Sequence, residues 1–220
     1  MHGTGETMKN NLSEFIYIID RSGSMSNIWD DTVGGYNSLI AKQKEMDGEA
    51  YITTVVFDNA IDTVVNHVRD KDVEPINPRE VFPRYTTALL DAIGTTIDSV
   101  GERLYNTPEE ERPSHVVVTI ITDGYENASN SYTRSQIKEM IELQRNVYSW
   151  EFIFIGADID TISEAKSLGI NTNYSKSYTK DSVGVSSVYA TMANVANLYR
   201  SSNKCTVDSL ELSAALNSVQ

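Results

Sequence analysis

Residues 14–24, EFIYIIDRSGS, decide the fold of this chain. An apolar run over residues 15–19 is followed at once by a carboxylate, Asp20, and by two hydroxyls, Ser22 and Ser24. The run predicts a buried strand, so the three oxygen-bearing side chains leave its carboxyl end together. Oxygen ligands suit a hard divalent cation such as Mg²⁺. The stretch therefore predicts a strand that ends in a metal-binding loop.

Strand-like and helix-like segments alternate along the rest of the chain. Runs of β-branched and aromatic residues predict strands, and apolar residues three and four apart predict helices. The predicted strands are 14–19, 51–57, 61–68, 116–121 and 150–155, and the predicted helices are 30–46, 87–104, 133–147, 161–168 and 184–199. This order predicts an α/β fold with a Rossmann-like, doubly wound, mostly parallel sheet and helices on both faces. A hairpin over residues 51–68 adds one antiparallel edge strand.

The length of 220 residues suits one large domain, which we place at residues 13–203. We expect a leader over residues 1–12, in part of artificial origin, because natural translation is expected to begin at Met8. Residues 204–220 are expected to form either a short helix or a partly disordered tail. No apolar run approaches the length of about 18 residues that spans a membrane, and no signal peptide is recognisable.

Composition limits the functions that are open to the chain. Acidic residues number 31 and basic residues 18, giving a net charge of −13, and no basic cluster is visible. Nucleic-acid binding is therefore not expected, since phosphate backbones require positive charge. The single cysteine, Cys205, excludes an intrachain disulfide and fits a reducing compartment, so a cytoplasmic location is predicted.

Two further segments carry candidate site residues. Asp123 follows the predicted strand 116–121, and Thr86-Thr87 opens a predicted helix after a proline-containing loop. In open parallel sheets, ligands bind beyond the carboxyl ends of the strands, where the strand order reverses. If the strands before Asp20 and Asp123 are neighbours, both carboxylates reach one crevice. Taken singly, each of these residues could instead cap a helix or stabilise a turn.

The ordered combination of motifs resembles the metal-ion-dependent adhesion site of von Willebrand factor A (vWA) domains. It consists of Asp-x-Ser-x-Ser at 20–24, Thr-Ala-Leu-x-Asp-Ala at 87–92 and Thr-Asp-Gly at 122–124. The resemblance covers roughly residues 14–200. Residues 154–170 also resemble the bacterial and phage intracellular members of this family.

The resemblance implies a bound Mg²⁺ or Mn²⁺ ion and a role for each site residue. Ser22 and Ser24 would coordinate the ion through their hydroxyls, and Thr87 would do so when a partner is bound. Asp20 and Asp123 would hold the ion directly or through water ligands.

The segment before the threonine departs from the family pattern. Many members carry glycines where this chain has Tyr85-Thr86, which leaves the choice between Thr86 and Thr87 open. Thr87 agrees better with the spacing of the residues that follow.

The implied function is a non-enzymatic protein-binding module. A cation held mainly by neutral hydroxyls keeps positive charge, so an Asp or Glu of a partner protein would complete its coordination. A metal-dependent hydrolase or phosphatase is the alternative, and an accessory subunit of an ATPase or kinase assembly is another. Hydrolysis is disfavoured because the three histidines are isolated in the sequence. Partner identity and oligomeric state stay open.

Three acidic positions outside the motifs carry separate expectations. Glu126 and its neighbour Asn127 could line the rim of the site and read the partner. Asp158 and Asp160 are expected to cap the helix that begins near Thr161, rather than to form a second ion site.

Overall fold

The computed structural model describes residues 12–202 and 207–219. Its strands are β1 Leu12–Asp20, β2 Glu49–Phe57, β3 Ile61–Arg69, β4 His115–Thr122, β5 Glu151–Gly156 and β6 Ser175–Ser177. Its helices are α1 Trp29–Glu45, α2 Leu89–Asn106, α3 Arg134–Tyr148, α4 Thr161–Ser167, α5 Ser182–Ser201 and α6 Ser209–Leu216. None of the helices in these ranges is both long and apolar enough to cross a bilayer.

The described strands form one sheet in the order β3-β2-β1-β4-β5-β6. All neighbours are parallel except β2 and β3, which pair antiparallel at one edge. The predicted doubly wound sheet with one antiparallel edge strand is therefore confirmed. From β1 the chain first builds outward through β2 and β3, then returns to β4 on the other side of β1. The order thus reverses between β1 and β4.

Helices cover both faces of the sheet because the central strands are apolar on both sides. Phe15, Tyr17 and Ile19 pack into the layer that contains α1, α5 and α6. Ile16 and Ile18 point the other way, into the layer of α2, α3 and α4. Two-sided burial explains why this segment reads as a continuous apolar run.

The structure confirms several helix ends that local sequence patterns predict. Thr133 forms a capping box with Gln136 at the start of α3, and Asp160 caps α4 by accepting from the backbone of Ser163. Asp158 does not take that role. Gly169 follows α4 with φ of +78°, a left-handed conformation that glycine adopts without a Cβ penalty.

Two features differ from the sequence predictions. The strand β6 was not predicted, because its three residues are polar and carry no apolar pattern. Helix α2 begins at Leu89, two residues after the predicted start.

The segment after α5 holds a short helix, α6, whose Leu212 and Leu216 are buried in the core. Of the expected leader, residues 1–11 lie outside the described residues, as do residues 203–206 and 220, so the domain boundaries stay predictions.

One arginine, Arg200 near the end of α5, connects several segments at the amino end of the sheet. Its guanidinium makes an ion pair with Asp70 at 2.7 Å. It also donates to four backbone oxygens, those of Gln43, Met46, Asp47 and Gly48. A guanidinium has five N–H donors, and the five hydrogen bonds of Arg200 match that number.

Candidate metal centre

The carboxyl ends of β1 and β4 carry the predicted acids. The two strands are neighbours with Ile19 opposite Ile121, so Asp20 and Asp123 emerge side by side at the reversal of strand order. Both residues are buried. The sequence hypothesis that the two carboxylates share one crevice therefore agrees with the geometry.

Asp20 holds the loop that follows it. Its Oδ1 accepts from the Ser22 backbone N–H at 2.6 Å, and its Oδ2 accepts from the Thr122 hydroxyl at 2.6 Å. Burial raises the pKa of Asp20 to about 6, the two hydrogen bonds oppose that shift, and the charge of Asp123 adds to it. The sequence did not single out a role for Thr122, although it belongs to the Thr-Asp-Gly motif.

The two serines connect the β1 end to the β4 end. The Ser24 hydroxyl donates to Asp123 Oδ1 at 2.5 Å, and the hydroxyl oxygens of Ser22 and Ser24 lie 2.9 Å apart. Ser22 precedes a short 3₁₀ turn over Gly23–Ile28 but makes no side-chain capping bond to it. Both hydroxyls are therefore directed into the crevice and not used to cap the turn.

Thr87 lies on the opposite wall. A Cβ built on Gly124 would sit 3.4 Å from Thr87 Oγ1 and 3.9 Å from Ser24 Oγ, so both hydroxyls lie beside Gly124. Thr87 is buried, whereas Thr86 is exposed. The geometry thus favours Thr87 over Thr86 as the site residue.

The loop after Gly124 positions Thr87 and the start of α2. Asn127 exchanges two hydrogen bonds with the Thr87 backbone, at 2.9 and 3.0 Å. Glu126 accepts from the backbone of Leu90 at 2.9 Å and from the backbone N–H groups of Ala128 and Ser129. Both side chains therefore hold the loop in place, and the expectation that they contact a partner stays a prediction.

Asp91 explains the acidic position of the Thr-Ala-Leu-x-Asp-Ala motif. Its carboxylate accepts from three consecutive backbone N–H groups, those of Asn130, Ser131 and Tyr132, each at 2.9 Å. This carboxylate ties the loop after β4 to α2. No role for Asp91 is predicted from the sequence, because backbone partners cannot be predicted from residue types.

Tyr85 stands where many members of the family carry a glycine, and its backbone has the conformation that glycine favours. Its φ is +58°, in the left-handed region, and its carbonyl accepts from the Gly23 N–H at 3.1 Å. A residue with a Cβ costs about 1–2 kcal/mol in this conformation, whereas glycine adopts it freely. The backbone geometry that suits glycine is therefore retained here by a tyrosine.

Lys180 is the site residue that the sequence missed. Its ammonium Nζ lies 2.6 Å from Asp123 Oδ2. The contact is an ion pair, since no donor among the described residues makes a hydrogen bond to Asp123 Oδ2. Lys180 is remote from the motifs along the chain, and no pattern around it signals the contact.

The donor set fits a hard divalent cation. Three hydroxyls, from Ser22, Ser24 and Thr87, face two carboxylates in one crevice, and every donor is an oxygen. Asp123 Oδ2 is buried, and its partner in the part of the chain that the structure describes is a cationic group, which is the chemistry of a cation site. Within residues 12–202 and 207–219, no group of three or more His, Cys, Asp or Glu side chains gathers as a metal site. Neutral hydroxyls thus dominate this centre.

No protein-family model matches the sequence, and no curated protein matches it. Solved structures do match. The proximal thread matrix protein 1 of the mussel byssus, solved with a zinc-occupied MIDAS motif, superposes with a TM-score of 0.60 at 18% identity, over 86% of this chain and 46% of that one. A von Willebrand factor type A structure from Catenulispora acidiphila gives 0.58 at 12% identity, over 86% and 42%.

A manganese-loaded TRAP protein from Plasmodium vivax gives a TM-score of 0.54 at 15% identity, over 78% of this chain and 70% of that one. The present chain spans less than half the length of the mussel and Catenulispora structures. At these identities the likeness concerns the fold, and the topology and strand order described above agree with it. The chain has the fold of a von Willebrand factor A domain.

Proposed function

We propose that this domain binds Mg²⁺ or Mn²⁺ and uses the ion to bind a partner protein. The observation that carries the proposal is the grouping of three hydroxyls beside a buried carboxylate: Ser24 donates to Asp123, Ser22 lies against Ser24, and Thr87 lies beside Gly124. Ser22 and Ser24 would hold the ion directly, and Thr87 would join when a partner is bound. Asp20 and Asp123 would support it directly or through water.

The ion would supply uncompensated positive charge at the surface of the crevice. Neutral hydroxyls coordinate a cation without cancelling its charge, so the ion remains the largest local charge. A carboxylate of a partner's Asp or Glu is the ligand that best completes such a shell. The exposure of Ser24 leaves one side of the cluster open to such a ligand.

The metal-loaded structural relatives support a divalent ion at this place. The mussel protein carries zinc in its MIDAS motif, and the TRAP protein is manganese-loaded. Our choice of Mg²⁺ or Mn²⁺ rests on the all-oxygen donor set, since zinc sites in proteins are usually built from nitrogen and sulfur ligands.

A binding module is proposed in preference to a hydrolase. His115 lies at the start of β4, at the opposite end of the sheet, and His67 lies in the edge strand β3. Neither is placed to act as a general base beside Asp123. A metal-dependent turnover of phosphate esters that is lost in Asp123→Ala would contradict this part of the proposal.

The sequence also bears on the compartment and the origin of the protein. A cytoplasmic protein of the bacterial or phage intracellular type is supported by the single cysteine and by the resemblance over residues 154–170.

Calorimetric titration with MgCl₂ and MnCl₂ tests the metal site. We expect the wild type to bind and Ser22→Ala/Ser24→Ala to lose binding while keeping its circular dichroism spectrum. Ser38→Ala is the matched control, since Ser38 is exposed on α1 and donates to a carbonyl of its own helix. Equal heats from the wild type and the double variant would refute the assigned ligands.

A pull-down from the source cell tests the partner. Capture should require Mg²⁺ or Mn²⁺, tolerate moderate salt, and fail with Ser22→Ala/Ser24→Ala. Thr87→Ala should weaken partner capture more than metal binding. A partner recovered equally well in EDTA would place the interface elsewhere.

A further inference from the structure

Lys180 brings a positive charge of the protein itself to the proposed metal site. Its Nζ lies 2.6 Å from Asp123 Oδ2, and the Asp123 side chain is wholly buried while that of Lys180 is about one-fifth exposed. The other carboxylate oxygen, Oδ1, is taken by the Ser24 hydroxyl. Each oxygen of Asp123 thus has one partner, and the charged partner is Lys180.

The segment that carries Lys180 is fixed to the start of α5. Asp181 caps that helix by accepting from the Gly184 N–H at 2.8 Å, and it accepts from the Thr179 hydroxyl at 3.1 Å. A Cβ built on Gly184 would lie 1.9 Å from the Thr179 carbonyl oxygen, so only glycine permits this packing. The backbone on both sides of Lys180 is therefore held in place while its flexible stem reaches the crevice.

Lys180 compensates a charge that burial would otherwise penalise. Asp123 lies close to Asp20, and the negative charge of Asp123 adds to the rise in the pKa of Asp20 that burial causes. A buried carboxylate without a cation is costly, and a lysine ammonium is a compact point charge able to offset it. A divalent ion at the same carboxylate would do the same more strongly.

We propose that Lys180 is a built-in counter-cation that a divalent ion must displace, so that it sets the metal affinity of the site. This rests on the proposed metal site. An ion held by Ser22, Ser24 and Asp123 would stand close to the ammonium and be repelled by it. When the ion enters, the lysine stem swings out to solvent, and when the ion leaves, the ammonium returns to Asp123.

The opposite expectation holds if Lys180 merely orients Asp123. In that case removing the ammonium would misplace the carboxylate and weaken metal binding. The direction of the change in affinity therefore separates displacement from support.

Calorimetric titration with MnCl₂ at fixed pH and ionic strength tests the inference. Removing a positive charge close to the ion removes a repulsion, so Lys180→Gln should bind Mn²⁺ about tenfold or more tightly than the wild type. Lys180→Arg, which keeps the positive charge, should bind Mn²⁺ more nearly like the wild type than Lys180→Gln does. Lys138→Gln is the matched control, because Lys138 is half exposed on α3 and pairs with Glu142.

A second measurement uses the wild type alone and does not depend on a variant folding. Reductive methylation followed by mass spectrometry reports how accessible each amine is. Lys180 should be protected in EDTA and become reactive in saturating MnCl₂, whereas Lys138 should react equally in both.

Three outcomes would overturn the inference. Weaker or equal Mn²⁺ binding by Lys180→Gln would exclude displacement while leaving the metal site standing. Unchanged Lys180 reactivity on adding Mn²⁺ would do the same. Absence of Mn²⁺ binding by both the wild type and Lys180→Gln would instead overturn the proposed function, and displacement with it.

Discussion

Two sites of buried charge at opposite ends of the sheet, Arg200 and the Asp20–Asp123 pair, are compensated in different ways. At the amino end, every N–H of Arg200 meets an acceptor, one of them the carboxylate of Asp70. At the carboxyl end, Asp123 has one hydroxyl donor and one ion pair, and the neighbouring Asp20 receives only neutral donors. Arg200 thus has an acceptor for each of its donors, including a carboxylate. Among the described residues, Asp20 is paired with neutral donors and Asp123 Oδ2 accepts no hydrogen bond.

The difference separates a structural charge from a functional one. A buried charge with all its partners stabilises one arrangement of the chain and has nothing left to offer a ligand. Buried carboxylates whose charge is only partly compensated cost free energy, and an incoming cation can recover part of that cost. Perturbed ionisation is typical of functional sites, and Asp20, whose pKa is raised to about 6, lies at the under-compensated end.

Replacing Arg200 should give the largest effect. Arg200→Met leaves Asp70 and four carbonyls without their donor, and breaking a buried pair costs about 3–5 kcal/mol. Urea denaturation should show that loss. The control Arg200→Lys should recover little, because an ammonium lacks the fork of donors. A loss in the free energy of unfolding below about 1 kcal/mol would mean that the hydrogen bonds of Arg200 contribute little to stability.

Adding metal should stabilise the protein through the site at the carboxyl end of the sheet, without involving the contacts of Arg200. With free Mg²⁺ at 100 times its dissociation constant, binding to the native state should raise the free energy of unfolding by about 2.7 kcal/mol. Urea denaturation in Mg²⁺ and in EDTA measures this gain. Arg200→Lys, if folded, should show the same gain, whereas Ser22→Ala/Ser24→Ala should show none. A gain that disappears with Arg200→Lys would show that the two ends are coupled.

The pH dependence contributed by His115 should be the smallest effect. His115 packs edge-on against Tyr199, with ring centres 5.3 Å apart. Burial lowers the pKa of His115, opposed by a hydrogen bond with the Ser202 backbone. The unfolded chain therefore binds the proton more readily, so this contribution to stability is present above about pH 6.5 and is lost as the pH falls below it.

His115→Gln should flatten that part of the pH profile of unfolding in EDTA. His67→Gln is the comparison variant, since His67 lies in the edge strand and is partly exposed. A slope between pH 5 and 7 that is the same in His115→Gln and the wild type would assign it to other groups.

The sequence predicted those parts of the molecule that depend on local pattern. The apolar runs, the hairpin and the caps at Thr133 and Asp160 are encoded within a few neighbouring residues, and the structure contains them. The strand β6 has no such pattern, because its three polar residues pair at the edge of a sheet that is already built.

In the candidate site, too, residues in local motifs were predicted, whereas contacts that depend on the tertiary fold were not. Residues in motifs, such as Asp20, Ser24 and Asp123, were predicted to meet, and they do. Lys180 could not be predicted, because its contact with Asp123 depends on how β6 and α5 return to the crevice. The role of Glu126 was missed for a related reason, since its partners are backbone N–H groups and not side chains.

The Arg200 contacts also bear on the order in which the chain can fold. They join α5 to the turn at residues 46–48, just before β2, across more than 150 positions of sequence. Contacts of such long separation close late, because the entropy of a large loop must be overcome first. During synthesis, the central strands β1, β2 and β4 are made well before α5 leaves the ribosome. The face that α5 covers is therefore exposed in the nascent chain until about residue 200 has emerged, and this is the interval in which the protein most needs protection from aggregation.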